Sequence, residues 1–509
     1  MEQWPTPYPL PRAVHFDDEV ARLLADAGIG DRLGELSEPA DSYEWRNAEG
    51  TPLLKFDWSG LGPSGWPLAS MTYQPDLERA LATAADACPN VTVLRGHEAV
   101  GLAETERDVT VTARDTTGRQ HELTADWVVG ADGANSFVRA HMPTRMTDLG
   151  FFYDWLIVDV HPHTPRTWDP PVNLQICDPE RPTTVVSGGP GRRRWEFMRM
   201  PGESVEELDT ESAAWRLLAP FGMTPGTCDL ERHAVYTFQA QWADTWRAGR
   251  LLLAGDSAHL MPPFAGQGMC SGIRDAANLT FKLDLVLRGA ADPALLDTYG
   301  TERSAHVQHA IGMSVELGKV ICVTDPGEAA ERDAFLIGHG ADPARALPPL
   351  PPTVLTDGLV GRGEAGAAGR LSRQARISYR GRTGLLSEVV GRGFVVASTT
   401  DPRTVLSTRQ LTFLEGIGAR LLHLAGPEAH ADEEVAAVDL DGFYVPHLAE
   451  EGQVGVVIRP DHYLFGTAAA WDDFVRLIDD LEEQLAAQHG SLTHDVPAPA
   501  PVATTGGEW

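Results

Sequence analysis

Long apolar runs are the first thing that this 509-residue sequence lacks. No uninterrupted apolar stretch approaches the ~20 residues that a membrane-spanning helix needs. The first ten residues contain three prolines and none of the basic and apolar regions of a signal peptide. These absences predict a protein without membrane partners that works in the cytoplasm.

Closely spaced cysteines are missing as well. The five cysteines stand far apart in the sequence, at Cys88, Cys177, Cys228, Cys270 and Cys322. This spacing offers neither the C-x-x-C pair of a dithiol redox centre nor the ligand pattern of a zinc site, so we expect no metal. Unpaired thiols in a reducing compartment are the simplest interpretation.

Basic residues are too few to balance the acidic ones. The sequence has 41 lysines and arginines against 72 aspartates and glutamates, which gives a formal net charge of -31. Such a chain repels nucleic acid at long range, and this favours a small-molecule substrate over a nucleic-acid partner. Because an average domain has ~150 residues, the length predicts two or three domains.

What the sequence does contain is a succession of strand patterns and a strand-to-helix unit. Short or alternating apolar runs predict a meander between residues 91 and 133 and a second, mostly antiparallel sheet between residues 151 and 200. Residues 250–254 predict a buried strand, and residues 269–288 predict a helix that stops at Gly289. After a region rich in proline and glycine, a small α/β domain is expected, with a helical stretch around residues 411–424.

The most specific local pattern is R-L-L-L-A-G-D-S-A-H at residues 250–259, followed by M-P-P-F-A-G-Q-G. A strand that ends in Gly-Asp places the carboxylate of Asp256 at the carboxyl edge of a sheet, where open α/β folds bind ligands. Gly266 and Gly268 leave room for a flat ring system, and they open a helix whose N-terminus favours negative charge. An ordinary strand-turn-helix with Asp256 as the N-cap is the competing interpretation.

A second pattern of the same form, V-V-G-A-D-G, occupies residues 128–133 and precedes a helix start of small residues. Two acidic turns of this kind in one chain favour the ligand-binding interpretation over two unrelated helix caps.

Together these motifs resemble the DG and GD fingerprints of the class A FAD-dependent aromatic monooxygenases, the superfamily of p-hydroxybenzoate hydroxylase. The resemblance is closest to 3-(3-hydroxyphenyl)propionate hydroxylases and related phenol and polyketide hydroxylases. It also includes P-R-A-V-H-F-D-D-E at 11–19, Y-Q-P at 73–75, R-W-E-F-M at 194–198 and D-T-Y-G-T-E-R at 297–303. It implies an enzyme that binds FAD and uses NAD(P)H and O2 to hydroxylate a small phenolic substrate.

The resemblance also implies an α/β fold, α+β overall, with three domains. A Rossmann-like FAD-binding domain is expected at residues 1–150 and 245–325, with parts of residues 40–75 joining the sheet of a substrate-binding domain at 151–244. A linker region at 326–375, a thioredoxin-like domain at 376–488 and a disordered tail at 489–509 complete the prediction. Because the thioredoxin-like domain has no C-x-x-C pair, we expect it to serve in packing or in the contacts of a homodimer.

In this superfamily the FAD-binding domain contains a G-x-G-x-x-G strand-helix-strand unit, whose second strand ends on an acidic residue that holds the adenosine ribose. The sequence has no such unit, and Glu2 falls where the ribose-binding acid would be. It therefore predicts that roughly 30 residues of a βαβ unit are missing. A late start site and a real truncation are both open, and the truncation would weaken FAD binding.

Carried over position by position, the resemblance assigns the cofactor contacts. Arg12 and Gln74 would contact FAD, Asp132 and Gly133 would lie near the nucleotide and its nicotinamide partner, Asp256 would bind the ribityl chain, and Pro263, Gly266 and Gly268 would line the flavin ring. A solvated Arg12 and a Gln74 that merely starts a helix before Pro75 are the alternatives.

Hydroxylation of a phenol needs a dry site and benefits from a base that titrates near neutrality. His15 is the candidate catalytic base because it follows closely on Arg12, although a lone histidine is more often structural.

Substrate selection is expected from the second sheet, through Gln175, Tyr236 and Phe238. The neighbouring Arg192, Arg193 and Arg194 could attract a carboxylate, but a solvated basic turn is the favoured interpretation.

Two other functions stay open from the sequence. The chain could be another FAD-dependent oxidoreductase of the same superfamily, although a halogenase is disfavoured because no W-x-W-x-I-P segment occurs. Alternatively, it could be a truncated, flavin-poor and inactive relative that acts as a binding protein.

Overall fold

The computed structural model describes residues 1–168, 173–347, 354–363, 367–428 and 436–486. Within these ranges the helices are α1 (Asp18–Leu24), α2 (Leu33–Leu36), α3 (Gln74–Asp86), α4 (Phe137–Ala140), α5 (Val205–Leu208), α6 (Glu211–Leu218), α7 (Gly268–Leu287), α8 (Asp297–Ile321), α9 (Pro326–Gly338), α10 (Pro343–Ala346), α11 (Leu386–Val390), α12 (Thr408–Gly416), α13 (Tyr444–Glu450) and α14 (Trp471–Leu485). None of them combines the length and the apolar character that crossing a membrane requires. The predicted disordered tail at 489–509 lies outside the described residues.

The strands of the same ranges form several sheets. They are β1 (His15–Asp17), β2 (Ser37–Pro39), β3 (Ser42–Arg46), β4 (Pro52–Asp57), β5 (Ala69–Thr72), β6 (His97–Glu104), β7 (Val109–Asp115), β8 (Gln120–Ala125), β9 (Val128–Gly130), β10 (Met146–Pro162), β11 (Asn173–Ile176), β12 (Thr183–Ser187), β13 (Arg193–Met198), β14 (Cys228–Ala243), β15 (Arg247–Ala248), β16 (Leu251–Leu253), β17 (His259–Leu260), β18 (Arg376–Tyr379), β19 (Arg382–Leu385), β20 (Val395–Ser398), β21 (Arg420–Ala425), β22 (Ala436–Asp439), β23 (Gly455–Ile458) and β24 (Leu464–Ala468).

The largest sheet has the strand order β17-β14-β10-β13-β12-β11-β3-β4. Its neighbouring strands are antiparallel except β11 and β3, which run parallel. Strands β3 and β4 come from residues 42–57, so an early part of the chain completes a sheet built mostly from residues 146–243. This architecture confirms the predicted mostly antiparallel sheet.

Both faces of this sheet are covered, which explains why its strands are apolar at successive positions. On one face, Leu156, Val158 and Phe197 pack under α5 and α6. The opposite face is defined by Trp155, Ile157, Met198, Tyr236 and Phe238, and we call it the aromatic face. The aromatic face is the one that turns toward the loop before α7.

The parallel strands β9 and β16 carry the two acidic turns identified in the sequence. Val128 pairs with Leu251 and Gly130 with Leu253, so both turns leave the same edge of the sheet. Helices α7 and α8 pack over this pair in one apolar core. The hydroxyl of Tyr299 on α8 donates to the carbonyl of Leu253 at 2.7 Å, which ties α8 to the end of β16.

Two local predictions are wrong. Residues 91–94 do not form a strand, and only Arg95 forms a parallel bridge, to Glu2. The helix predicted around residues 411–424 ends at Gly416, and β21 follows it. Gly418 has φ +72°, a left-handed conformation that ends helices, so the apolar residues after it continue as a buried strand.

The C-terminal unit is a seven-stranded sheet with the order β19-β18-β22-β21-β20-β23-β24. Strands β20, β21 and β22 are parallel, whereas β23 runs antiparallel to β20 and β24 antiparallel to β23. Helices α12 and α14 cover one face and α11 and α13 the other. The description of this unit as thioredoxin-like stays a prediction, and α9 and α10 form part of what the sequence suggested as a linker.

Candidate active site

The Gly-Asp turn after β16 leaves a carboxylate at the edge of the parallel strands. Gly255 has φ +64°, and its N–H donates to Asp275 Oδ2 at 3.0 Å, which fixes the turn on α7. The side chain of Asp256 is exposed and forms no hydrogen bond within the described chain. The competing N-cap interpretation of Asp256 is wrong, because α7 begins only at Gly268 and its N-cap is Gln267.

The loop of residues 263–268 presents backbone rather than side chains. Pro263 begins a short helical turn that ends at Gly266, where φ is +64°. A Cβ at Gly266 would lie 2.8 Å from His15 Nδ1, so only glycine fits there. In the described part of the chain no side chain caps α7, so the N–H groups of its first turn are available to a ligand with negative charge.

Beneath this loop, Gln267 is held by two charged side chains. Its Nε2 donates to Asp17 Oδ2 at 3.2 Å, and its Oε1 accepts from Arg274 Nη1 at 2.9 Å. Arg274 also donates to Asp17 and to Glu19, each at 2.6 Å. The loop is therefore anchored to both α1 and α7.

His15 lies directly against the same loop. Its Nδ1 is 3.4 Å from the carbonyl oxygen of Gly266, and its ring is 6.1 Å from that of Trp58. Burial lowers the pKa of His15 below the ordinary 6.5, so the ring is neutral at pH 7. When Nδ1 donates to Gly266, Nε2 keeps a lone pair that can accept a proton.

The segment before His15 is fixed through its backbone. The Oε1 atom of Gln74 accepts from the N–H groups of Arg12 and Ala13, at 3.0 and 2.6 Å. The carbonyl of Arg12 accepts from Arg194 Nη1 at 2.6 Å, while the exposed guanidinium of Arg12 lies over the ring of Tyr8. Gln74 thus starts α3 and positions the Arg12 segment, and direct contacts of these two residues with FAD stay predictions.

The Asp-Gly turn after β9 lies next to the Gly-Asp turn. The carboxylate of Asp132 accepts from the N–H of Val138 at 3.0 Å and from the hydroxyl of Ser136, so it shapes its own turn together with Gly133, which has φ +80°. Arg139 Nη1 donates to the carbonyl of Ser257 at 2.8 Å and joins the two turns. The proximity of Asp132 and Gly133 to the nucleotide stays a prediction.

Glu2 is exposed at the edge of the meander. Its N–H donates to Leu94 and its carbonyl accepts from His97, while its carboxylate accepts from the N–H of Trp4. The ribose-binding role of Glu2 stays a prediction.

Of the three predicted substrate residues, two lie on the aromatic face beside the loop of residues 263–268. The ring of Phe264 in that loop is 5.8 Å from Phe238 and 5.6 Å from Trp155, and Tyr236 is the cross-strand partner of Trp155. Gln175 is fully buried and already engaged, because its Oε1 accepts from Thr184 and its Nε2 donates to the carbonyl of Thr183. The side-chain amide of Gln175 is therefore bonded within the sheet, and a substrate contact by Gln175 stays a prediction.

The solvated basic turn predicted for residues 192–194 is wrong for two of its three arginines. Arg193 and Arg194 are only 4% and 3% exposed. Asp159 binds Arg194 through two hydrogen bonds, at 2.7 and 2.9 Å, and this pair lies on the same face as Tyr236. Burial of the charge is possible because the partner strand β10 supplies the carboxylate, which adjacent residues do not reveal.

Sequence reasoning also missed the aromatic lining. Trp58, whose ring is 6.1 Å from that of His15, stacks at 5.3 Å on Tyr43 of β3, and Phe264 in the loop of residues 263–268 contacts Trp155. The alternation of aromatic residues in β3 and β10 was the only available signal. It indicates a half-buried strand and does not reveal which face carries the site.

Fold and site together define a flavoprotein monooxygenase. The backbone cradle that a Cβ at Gly266 would fill fits the ring of FAD. Among the described residues the N-terminus of α7 has no side-chain cap and the carboxylate of Asp256 has no partner, which fits the negative charge of the ring and the ribityl chain. Residues 1–314 match the family model described as "FAD binding domain", and residues 369–484 match "HcaD C-terminal domain". The chain belongs to this family of FAD-dependent enzymes, which confirms FAD as its cofactor.

Two relatives illustrate the family. A probable NADH-specific resorcinol 4-hydroxylase of Rhodococcus jostii (strain RHA1) is 34% identical over 493 residues, which cover 96% of this chain and 90% of that protein. A 3-(3-hydroxy-phenyl)propionate/3-hydroxycinnamic acid hydroxylase of Burkholderia cenocepacia (strain HI2424) is 31% identical over 494 residues, covering 91% and 88%.

Solved structures share the fold. The flavin-dependent monooxygenase PieE, in complex with FAD and substrate, superimposes with a TM-score of 0.77 at 21% identity, covering 95% of this chain and 93% of that one. OxyS anhydrotetracycline hydroxylase from Streptomyces rimosus gives 0.73 at 22% identity, with the same coverage. The predicted fold class and the recognition of an FAD-dependent aromatic hydroxylase are confirmed.

Proposed function

We propose that the protein hydroxylates a phenolic ring with O2 and NADH. The observation that carries this proposal is the meeting of the loop at residues 263–268 with His15 and the aromatic face, through the contacts of Gly266 with His15 and of Phe264 with Trp155. A flavin on this loop would face an apolar, aromatic surface with one neutral base at its border.

When bound, FAD supplies the redox chemistry, in which NADH delivers electrons and O2 is activated. The protein residues bind, orient and exclude water. We assign Asp256 to the ribityl chain, Pro263, Gly266 and Gly268 to the flavin ring, and the N-terminus of α7 to the negative charge of the reduced ring.

We assign His15 the role of removing the proton from the substrate phenol. Because the Gly266 carbonyl holds Nδ1 of His15, its Nε2 accepts the phenolic proton. The aromatic ring of the substrate then becomes more electron-rich. The aromatic side chains around it, Trp58, Phe264 and Trp155, keep water from the reacting atoms.

The relatives point to a 3-substituted phenol as the substrate class. One relative is named for resorcinol and the other for a 3-hydroxyphenyl acid, and both names describe a phenol with a second substituent at the meta position. NADH is proposed as the reductant because the relative from Rhodococcus is named NADH-specific.

The test is to load the purified full chain with FAD and to follow NADH oxidation with and without resorcinol or 3-(3-hydroxyphenyl)propionate, while a chromatographic assay detects hydroxylated product. Stimulated NADH oxidation with one hydroxylated product per NADH is expected. Oxidation that no phenol stimulates, or that yields only hydrogen peroxide, would contradict the proposal.

The cellular location and the oligomeric state of the protein belong to the same proposal. A cytoplasmic location is supported by the five cysteines, which are all unpaired. A homodimer is proposed through the C-terminal unit, and analytical ultracentrifugation of the full chain tests it, since a single monomeric species at micromolar concentration would exclude it.

A further inference from the structure

Arg232 on β14 is a buried arginine with unused donors. It is 5% exposed, its Nη1 donates to the carbonyl of Pro11, and its guanidinium carbon lies 4.6 Å from the centre of the Tyr236 ring. Its Nε and Nη2 are buried and have no hydrogen-bond partner within the described residues. Buried charged donors are almost always paired in native structures, so these two nitrogens point to an absent acceptor.

The position of Arg232 connects the unused donors to the active site. Arg232 pairs with Asp159 across β10 and β14, as Tyr236 pairs with Trp155, so all four side chains share the aromatic face. The carbonyl of Pro11 that holds Arg232 belongs to the segment that leads to His15. The guanidinium therefore closes the end of the aromatic face that lies below this segment.

Neighbouring carboxyl groups do not satisfy Arg232. Both oxygens of Asp159 are taken by Arg194. Glu196, also on this face, forms no hydrogen bond in the described chain and stays 3.7 Å from Arg194. Burial raises the pKa of Glu196.

The edge formed by Nε and Nη2 has the geometry that binds a carboxylate through two parallel hydrogen bonds. We propose that this edge of Arg232 binds a carboxylate on the side chain of the aromatic substrate, so that the preferred substrate is a phenolic acid. The inference rests on the proposed hydroxylase function and deepens it. Both nitrogens are shielded from solvent.

A matched pair of ligands tests the proposal by binding alone. Isothermal titration of the FAD-loaded full chain with 3-(3-hydroxyphenyl)propionate and with its uncharged amide compares the same ring with and without the anion. The acid is expected to bind roughly tenfold or more tightly than the amide, the effect of a charge-assisted bond pair. Equal dissociation constants for acid and amide would overturn the inference.

Variants locate the effect. Arg232→Gln is expected to bring the acid-to-amide ratio close to one and to leave the binding of resorcinol within about threefold, because resorcinol has no carboxylate. Arg232→Lys keeps the charge without the two-donor edge and is expected to fall between. Arg216→Gln, which removes an exposed arginine from α6 behind the opposite face, should leave the ratio as in the parent.

The experiment distinguishes loss of the carboxylate site from misfolding of a variant and from failure of the proposed hydroxylase function. If Arg232→Gln unfolds because the carbonyl of Pro11 loses one of its two arginine donors, Arg232→Lys supplies the comparison. A ratio that survives in a folded Arg232 variant would refute the role of Arg232. Acid-selective binding without any phenol-stimulated NADH oxidation would instead refute hydroxylation and leave the anion site standing.

Discussion

At the scale of single residues, the candidate site depends on side chains that keep a polar atom available for a ligand. Asp256 is exposed and has no hydrogen-bond partner among the described residues, whereas the carboxylate of Asp132 in the Asp-Gly turn accepts from Val138 and Ser136. The two acidic turns look alike in sequence, yet only the first has a carboxylate ready for a ligand.

Asp256→Ala is therefore expected to weaken FAD binding by roughly tenfold or more, since a charged hydrogen-bond acceptor is lost. Flavin fluorescence titration of the chain measures the dissociation constant. Asp86→Ala, which removes an exposed aspartate at the end of α3, is the control and should bind FAD like the parent. Unchanged flavin affinity in Asp256→Ala would remove Asp256 from the site.

His15→Asn is expected to reduce the hydroxylation rate by about 10²–10⁴-fold, the usual contribution of a general base. Because burial lowers the pKa of His15, the parent keeps the unprotonated base above that pKa and loses activity as the pH falls through it, at a pH below 6.5. Product formation measured across the pH range tests both expectations. An acid limb that persists unchanged in His15→Asn would assign it to another group.

At the scale of elements, the loop of residues 263–268 is positioned by Gly266, which lies just before α7 and contacts His15 of β1. Gly266 has φ +64°, and the space beside its Cα is taken by His15. The polar cluster of Asp17, Glu19 and Arg274 then holds the loop from below. The loop is thus placed by two elements that are about 250 residues apart in sequence.

Gly266→Ala is expected to cost about 1–2 kcal/mol of stability for the left-handed backbone and, in addition, to displace His15. Gly50→Ala is the matched control, because Gly50 has φ +82° with nothing near a new Cβ. Chemical denaturation should show that both variants lose a similar amount of unfolding free energy to the left-handed backbone. Only Gly266→Ala is expected to lower the hydroxylation rate. Equal rates in both variants would contradict the contact with His15.

At the scale of the whole molecule, the C-terminal unit is joined to the FAD-binding part by a buried cluster of charges. Arg459 binds Glu302 on α8 and Asp461, each at 2.6 Å, and Lys282 on α7 lies 2.9 Å from Glu302. Burial alone would raise the pKa of Glu302, but Arg459 and Lys282 overcome it and lower this pKa to about 2. The C-terminal unit therefore neutralises a charge at the centre of the fold.

Arg459→Met is expected to destabilise the protein by about 3–5 kcal/mol, because it leaves a buried carboxylate without its main partner. Arg376→Met, which breaks the exposed pair with Asp441 in the same unit, should cost at most about 1 kcal/mol. The depressed pKa of Glu302 means that this stabilisation is complete above pH 4.5 and is lost as the pH falls toward 2.

Urea denaturation at pH 7 and at pH 3 measures both effects. The difference between the parent and Arg459→Met should narrow at the lower pH. A difference that does not depend on pH would mean that packing, and not charge, accounts for the loss.

The sequence by itself determined the local features of this protein. The strand β16, the glycines of the loop, the start of α7 and the family follow from adjacent residues, because short-range backbone preferences and apolar periodicity are written in neighbouring positions. Apolar periodicity alone failed after Gly416, where Gly418 ends the helix and residues 420–425 form a strand.

Only the tertiary structure decided which distant groups meet. It placed the side chain of Gln74 on the backbone of Arg12, buried Arg194 against Asp159, left two donors of Arg232 unpaired and brought Arg459 to Glu302. These pairings depend on strand register and on the face that each side chain occupies. On the strands, a shift of one residue would move Asp159, Arg194 and Arg232 to the opposite face, so no local pattern specifies their contacts.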